Sequence, residues 1–215
     1  YKSWKHGKQH GEHKKWFANG RLQLQCSYSN GTRNGEYLQW HNEHHMYERC
    51  HFIDGKKEGE YNCWYKNGQQ WIRCHYVNDK KQGEQKQWYD DGSLWEHSFY
   101  VNGKLEGEYK MWHKNSYLWG HYHYVNGVLD GEFKRWYYRG QIRDRYYYVN
   151  GQKQGTCENW YQNGQIRSQY NHVNGKMEGE CKEWHRNGQL LKHGYFLNDI
   201  HQKGLSIYFV VALVT

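Results

Sequence analysis

Residues 161–179 read YQNGQIRSQYNHVNGKMEG and contain two Asn-Gly dipeptides, Asn163-Gly164 and Asn174-Gly175. Asn-Gly is the preferred dipeptide of two-residue hairpin turns, because both of its positions adopt positive φ. Two such turns within one short stretch predict three antiparallel strands, each folded back on the one before it. The absence of Pro from the whole sequence agrees with this interpretation, since Pro removes a hydrogen-bond donor from a strand.

The same pattern recurs every 24 residues along the 215-residue chain. Three columns keep this spacing: Gly11, Gly35, Gly59, Gly83, Gly107, Gly131, Gly155 and Gly179; Trp16, Trp40, Trp64, Trp88, Trp112, Trp136, Trp160 and Trp184; and Tyr28, Phe52, Tyr76, Tyr100, Tyr124, Tyr148 and Phe196, with His172 in the same register. A fixed period of this length indicates a repeat architecture. The sequence therefore predicts an all-β fold, a single elongated antiparallel meander of about eight tandem β-hairpin repeats over residues 1–200.

The last fifteen residues, 201–215, break the period and are predicted to form a degenerate cap or an apolar tail. The apolar run Ser206–Thr215 is shorter than the roughly 20 residues that a spanning helix needs. We interpret it as an edge strand, with a truncated membrane segment as the alternative.

Strict alternation along each strand assigns the repeated side chains to two faces. The predicted packed face carries the glycine column, the Tyr or Phe two residues later, and the Leu or Ile column that includes Leu118 and Ile166. In this interpretation the glycines mark turns and leave a slot that an opposite ring such as Tyr122, Tyr146 or Tyr170 fills. The glycines with this role are Gly35, Gly59, Gly83, Gly107, Gly131, Gly155 and Gly179.

The other face carries Glu, Lys and Trp on one strand and Trp, Arg or His on the next. With two-residue turns, Trp64–Trp71, Trp88–Trp95 and Trp112–Trp119 become cross-strand pairs, and Trp136–Arg143 becomes a cation–π pair. Such a ladder serves either as a binding groove or as the stabilising element of a single-layer sheet. The candidate binding face consists of Trp64, Trp71, Trp88, Trp95, Trp112, Trp119, Trp136, Arg143, Arg145, Lys86, Lys110 and Lys134.

Residues 100–112, YVNGKLEGEYKMW, and residues 161–166, YQNGQI, resemble the MORN repeat in its longer variant form. The resemblance extends from Trp4 to Asn198, and aromatic-rich versions of this length are similar to repeats of large DNA viruses of amoebae and of bacterial proteins described as antitoxins. It implies hairpin meanders used for protein interaction, dimerisation and, in some members, attachment to phosphoinositides or membranes. It implies no catalytic activity. Asn115-Ser116 departs from the pattern by replacing a turn glycine, and Ser at positive φ is strained.

No residue pattern indicates a catalytic, cofactor or metal site. Glu recurs after most of the repeat glycines, whereas catalytic residues are normally unique in a chain. His121 and His123 share one side of a strand, but no further ligand completes a tetrahedral site. Cys26, Cys50 and Cys74 fall in one column and Cys157 and Cys181 in another. Residues of one column lie about 9.6 Å apart, beyond the reach of a disulfide, which predicts six free thiols and a reducing compartment.

The formal net charge of +8 allows acidic partners, but Lys and Arg alternate with Glu and Asp, which argues against nucleic acid. We therefore expect a non-enzymatic scaffold without cofactors that pairs with another protein or with a second copy. One alternative is a peripheral adaptor on an anionic or phosphoinositide-containing membrane, and another is an antitoxin-like immunity protein. The expected location is the cytoplasm, or the host cytoplasm for a viral protein, with peripheral membrane association under the first alternative.

Overall fold

A computed structural model describes residues 2–42 and 44–202 of the chain. These residues form strands joined by turns, and no helix occurs among them. None of the described elements is therefore a helix with the length and apolar character needed to span a membrane. The chain divides into two compact units, Tyr1–Glu106 and Gly107–Thr215. The predicted cap lies outside the described residues from residue 203 onward, and so does the apolar run within it.

Consecutive strands pair antiparallel within each unit, which confirms the all-β meander of hairpins. The first unit contains β1 (Lys2–Lys5), β2 (Lys8–Trp16), β3 (Leu22–Ser29), β4 (Thr32–Arg33), β5 (Gly35–Trp40), β6 (Met46–Ile53), β7 (Lys56–Trp64), β8 (Gln70–Val77), β9 (Lys80–Lys81), β10 (Gly83–Trp88), β11 (Leu94–Val101) and β12 (Lys104–Leu105). The second unit contains β13 (Gly107–Trp112), β14 (Leu118–Val125), β15 (Val128–Trp136), β16 (Ile142–Val149), β17 (Gln152–Lys153), β18 (Gly155–Trp160), β19 (Ile166–Val173), β20 (Lys176–Trp184), β21 (Leu190–Leu197) and β22 (Ile200–His201).

The second turn of each repeat is the predicted two-residue hairpin turn. At Asn174-Gly175 the φ angles are 49° and 82°, and the flanking Val173 and Lys176 pair directly. Positive φ at both central positions defines the type I′ turn, whose twist matches that of the strands. The turn is also tied to the preceding hairpin, because the backbone N–H of Asn174 donates to Oε1 of Gln154 at 2.9 Å.

The first turn of each repeat is longer than predicted. At residues 161–165 the N–H of Gly164 donates to the carbonyl of Tyr161 at 3.0 Å, and the N–H of Tyr161 donates to the carbonyl of Gln165 at 2.9 Å. Only Gly164 has positive φ, 86°, so the loop is a three-residue type I turn closed by a glycine bulge. Trp160 therefore pairs with Ile166, and a second bulge at Arg167 follows, so that Asn159 pairs with Ser168.

At seven of the eight repeated glycines no aromatic ring lies within 4 Å of an added Cβ, so the predicted slot is wrong for them; at Gly131 the ring of His123 would lie 3.4 Å away. A Cβ atom added at Gly59, Gly83, Gly107 or Gly155 would meet no atom within 4 Å. These four glycines instead have φ between 72° and 81°, a backbone conformation that L side chains rarely adopt. Each of them lies in a bulge: residues 154–157 lie opposite residues 146–147, since Tyr148 pairs with Lys153 and Arg145 with Glu158.

Glycines outside this column do lie against rings, and the closest approach is at Gly120. Its φ lies outside the left-handed region, and an added Cβ would lie 2.5 Å from the hydroxyl oxygen of Tyr122 and 2.7 Å from Cζ of the same ring. The turn departure at Ser116 is also confirmed, because Ser116 adopts a φ of 64° where other repeats have Gly. In both places one repeat deviates from the shared pattern for a local steric reason.

The packed face contains aromatic rings and all six cysteines. In the first unit Cys26, Tyr37, Cys50 and Phe52 form a buried cluster. In the second unit four rings stack one on the next, with centroid distances of 5.8, 4.5 and 5.3 Å along the series Tyr109, Tyr122, Phe133 and Tyr146. The cysteines are buried and unbridged, which confirms the predicted free thiols.

The Leu and Ile column does not belong to this packed face as predicted. Leu118 pairs with Trp112 and Ile142 with Trp136, so these aliphatic side chains share the face of the tryptophans. The three-residue turn causes the change, because it shifts the pairing by one residue next to the turn, and the bulge that follows restores the expected register for the rest of the strand.

Candidate binding face

The candidate binding face is the side of the strands that carries the tryptophan column. Trp64 pairs with Gln70, Trp88 with Leu94 and Trp112 with Leu118. The predicted cross-strand pairs Trp64–Trp71, Trp88–Trp95 and Trp112–Trp119 are therefore wrong, and so is the cation–π pair Trp136–Arg143, since Trp136 pairs with Ile142. All of these errors have the same origin, the three-residue first turn and the bulge beside it.

In three hairpins the Tyr or His that follows the tryptophan of the column packs against the second tryptophan of the same hairpin. Tyr65 lies 5.8 Å from Trp71, Tyr89 lies 6.1 Å from Trp95, and His113 lies 6.5 Å from Trp119, measured between ring centroids. Farther along the chain Arg143 takes the place of Trp, and its guanidinium carbon lies 5.9 Å from the ring centroid of Tyr137. The sequence contains this Tyr or His column at the 24-residue spacing, but only the observed turn geometry shows its role.

This ladder also joins one repeat to the next. The hydroxyl of Tyr65 donates to the carbonyl of Trp88 at 2.9 Å, and the hydroxyl of Tyr137 donates to the carbonyl of Trp160 at 2.8 Å. Tyr161 makes the same contact with Trp184 at 2.9 Å. A hydrogen bond of this kind contributes about 0.5–1.5 kcal/mol. The aromatic ladder is thus a stabilising element between hairpins, the second of the two roles considered for it.

The lysines of the candidate face are paired with the glutamate two residues earlier. The Nζ atom of Lys86 lies 2.8 Å from Glu84, that of Lys110 lies 2.5 Å from Glu108, and that of Lys134 lies 2.6 Å from Glu132. The hydrogen bond from Lys86 holds the pKa of Glu84 below its usual value, and Lys110 lowers that of Glu108 in the same way. These positive charges are therefore compensated within the sheet.

Arg145 and the histidines of the strands also have oxygen partners, which lie on a neighbouring strand. Nε of Arg145 donates to Glu158 at 2.8 Å, and Nε2 of His97 lies 2.8 Å from Glu84. Of the pair considered for a metal, His121 faces Glu108 at 3.4 Å, and Nδ1 of His123 lies 2.7 Å from the carbonyl of Asp130. Within residues 2–42 and 44–202, no three His, Cys, Asp or Glu residues are grouped so that they could hold a metal ion.

An exposed aliphatic row lies on the same side of the second strand in seven of the eight hairpins, immediately before the two-residue turn. The sequence analysis missed it, although the row recurs at the 24-residue spacing. Exposure is 38% for Val77, 41% for Val149 and 52% for Leu197. The members of this row are Ile53, Val77 and Val101 in the first unit and Val125, Val149, Val173 and Leu197 in the second.

The repeat geometry on the page agrees with a comparison against known protein families. The sequence pattern of the MORN repeat variant matches five segments, residues 9–30, 81–102, 129–150, 153–174 and 177–198. Together these segments cover half of the chain. The chain belongs to the MORN repeat family.

Each matched MORN segment corresponds to one hairpin of the structure. The segment 153–174 begins in β17, includes the bulge at Gly155 and the three-residue turn at 162–164, and ends at the first residue of the type I′ turn. The unmatched residues 103–128 include Ser116 and Gly120, two of the local departures described above. MORN repeats are a non-catalytic repeat type associated with protein or membrane-lipid interaction. A comparison with curated proteins found no match.

Proposed function

We propose that this MORN protein is a non-enzymatic scaffold that binds another protein, or a second copy of itself, through the exposed aliphatic row. The observation that carries the proposal is the row itself, one exposed Val, Ile or Leu at 24-residue spacing in seven of the eight hairpins, the first having Ser29 at this position. Apolar side chains grouped on a surface are typical of protein contact sites. Neighbouring exposed rings, Phe99 in the first unit and Tyr147 and Tyr195 in the second, add apolar area of the kind enriched at interfaces.

The charges on this side favour a protein over an anionic membrane. Lys86, Lys110 and Lys134 are each neutralised by a glutamate of the same strand. Attraction to anionic lipid depends on basic residues that keep their charge free, at about 1 kcal/mol each. The six free cysteines further support a reducing compartment such as the cytoplasm.

The test replaces three members of the row and compares them with their polar cross-strand neighbours. Val149 pairs with Gln152, and Val173 pairs with Lys176, so these two valines have an exposed polar residue beside them, whereas Val125 pairs with Val128. Burying a valine that is about 40% exposed contributes on the order of 1 kcal/mol, so loss of three weakens binding on the order of a hundredfold. We therefore expect the variant Val125→Ser, Val149→Ser, Val173→Ser to lose its partner.

The matched control is Gln152→Ser, Lys176→Ser, which leaves the aliphatic row intact. Self-association is measured by light scattering over a concentration series, and binding of other proteins by quantitative recovery on the immobilised chain. Loss of association in the valine variant alone supports the proposal. Equal association of the two variants, or a monomer that recovers no partner, would refute it.

A further inference from the structure

At residues 157 and 172, two positions that carry an aromatic ring in other repeats have Cys and His instead. The first column carries Tyr or Phe at residues 37, 61, 109 and 133 but Cys at 157; the second carries Tyr or Phe in most repeats but His at 172. Cys157 lies on β18 opposite Tyr170, and His172 lies on β19 opposite Gly155. Two smaller side chains thus occupy neighbouring positions on the packed face, where other repeats place large rings.

A cavity of about 320 Å³ lies at this place. Met177 on β20 pairs directly with His172 and closes the cavity from the other side. The lining consists of Lys153, Cys157, Asn159, Tyr170, His172, Met177, Glu183, Lys192 and Phe196. The three strands therefore bring one thiol, one imidazole and one thioether to a single cavity.

His172, which lines this cavity, has a buried ring nitrogen without a hydrogen-bond partner in the described part of the chain. The side chain is 9% exposed, and Nδ1 finds no hydrogen-bond partner among the residues that the structure describes. A buried polar atom without a partner costs about 1–3 kcal/mol. A neutral imidazole nitrogen is the form that ligates metal ions.

We propose that Cys157, His172 and Met177 bind one Cu(I) ion. Thiolate and thioether sulfur are the soft ligands that select Cu(I), and imidazole also suits copper. Binding releases the thiol proton of Cys157 to solvent and forms a copper–sulfur bond, without any change of oxidation state. The thiolate and the Cu(I) ion together carry no net charge, and a neutral pair avoids the large cost of burying an isolated charge.

The neighbouring charges leave this ligand set intact. Nζ of Lys153 lies 4.3 Å from the ring centroid of Tyr146 and contacts that ring. Burial raises the pKa of Cys157, and Lys153 opposes the effect by favouring the thiolate. The carboxylate of Glu183 accepts a hydrogen bond from the hydroxyl of Tyr170 at 2.5 Å, so it is engaged elsewhere. A structural zinc site needs four ligands, which makes Cu(I) the better fit for three.

The other cysteines provide controls because they lack this combination of neighbours. Cys181 occupies the same column one repeat later, but it pairs with Gly194 on β21, and the ring column there carries Phe196. Among the described residues no metal group arises from His, Cys, Asp and Glu alone. The third ligand, Met177, is therefore the residue that distinguishes this cavity from a buried thiol next to a histidine.

The experiment titrates the full chain with Cu(I) under anaerobic conditions against bicinchoninate, a chromophoric Cu(I) chelator. We expect the wild type to remove one equivalent from the chelator. His172→Phe restores the residue type of the other repeats and should fold, which circular dichroism checks; it is expected to weaken binding at least tenfold. Met177→Leu should have a similar effect, and Cys157→Ser should remove the equivalent.

Cys181→Ser and Met111→Leu are the matched controls and should bind Cu(I) as the wild type does. If folded His172→Phe and Met177→Leu bind Cu(I) with wild-type affinity, the copper is held by thiols alone and the proposal is wrong. A wild type that competes for no Cu(I) also overturns it. X-ray absorption at the copper edge then checks the ligand set, and a site with sulfur neighbours but no nitrogen contradicts the role of His172.

Discussion

Substitution of Gly155 separates two explanations of the repeated glycine. Its φ is 73°, and an added Cβ would meet no atom within 4 Å, so the structure assigns the requirement to the backbone rather than to space. An L residue in the left-handed region costs about 1–2 kcal/mol, and the reduced freedom of the unfolded chain returns about 0.4–1 kcal/mol. Gly155→Ala is therefore expected to lower the free energy of unfolding by about 1 kcal/mol.

Asparagine at the same position gives the sharper result. Asn tolerates the left-handed region, as Asn30, Asn102 and Asn174 show with φ of 49° to 50°. Gly155→Asn is therefore expected to be less destabilising than Gly155→Ala, although Asn is the larger side chain. If the glycine made room for a ring, the order would be reversed.

The assay is urea unfolding at constant pH in the presence of a metal chelator, followed by tryptophan fluorescence. A loss of about 1 kcal/mol lowers the midpoint by roughly 0.5 M for a slope near 2 kcal/mol per M. Gly120→Ala is the positive control for crowding, because its Cβ would lie 2.5 Å from the hydroxyl of Tyr122, and its cost should fall when Tyr122→Cys is added. A larger loss for Gly155→Asn than for Gly155→Ala would refute the backbone explanation.

Three further predictions address the ladder, the ion pairs and the thiols. Tyr137→Phe removes the hydroxyl that donates to Trp160 and should cost about 0.5–1.5 kcal/mol in the same assay, whereas Tyr138→Phe, at a residue 56% exposed, should cost little. The hydrogen bond from Lys182 lowers the pKa of Glu180 in the folded chain. The ionised carboxylate therefore stabilises the fold above its unfolded-state pKa, and this stabilisation is lost as pH falls through the lower pKa of the folded state. Lys182→Met should raise the pKa of Glu180, measured by NMR. All six thiols should react with a thiol reagent after denaturation without reductant, and slowly before it, because burial keeps them protonated and covered; fewer than six would contradict the free-thiol assignment.

The hairpins could be predicted from the sequence, because the 24-residue period is visible in it and the second turn of each repeat depends on the types of its own two residues. At Asn174-Gly175 the residue types allow positive φ at both positions, and the structure has them there. The first turn misled the register, because Asn163-Gly164 fits either a two-residue turn or the end of a three-residue one. The dipeptide is the same in both; the difference is whether Asn163 adopts positive φ, and it does not.

The error at the first turn then spread to the candidate face. The longer turn shifts the pairing by one residue only as far as the adjacent bulge, so Trp64 pairs with Gln70 and Trp71 contacts Tyr65. Beyond the bulge the pairing is the one that a two-residue turn would give, with Tyr61 opposite Cys74. The lysine–glutamate pairs were within reach of the sequence, since residues two apart in a strand share a face. The aliphatic row was visible as a column, but its exposure depends on what covers it, which the sequence does not state.

The bond from each turn to the hairpin before it explains how such a protein changes length. The N–H of Asn78 finds its acceptor in Glu58, and that of Asn150 in Asp130, always twenty positions upstream. Duplication of one whole 24-residue repeat copies both a turn N–H and the side chain twenty positions upstream that accepts from it. The hydrogen bond can therefore form on both sides of the inserted repeat. An insertion of any other length moves the turn N–H away from its acceptor. This requirement gives a reason why the 24-residue spacing is kept from Gly11 to Gly179.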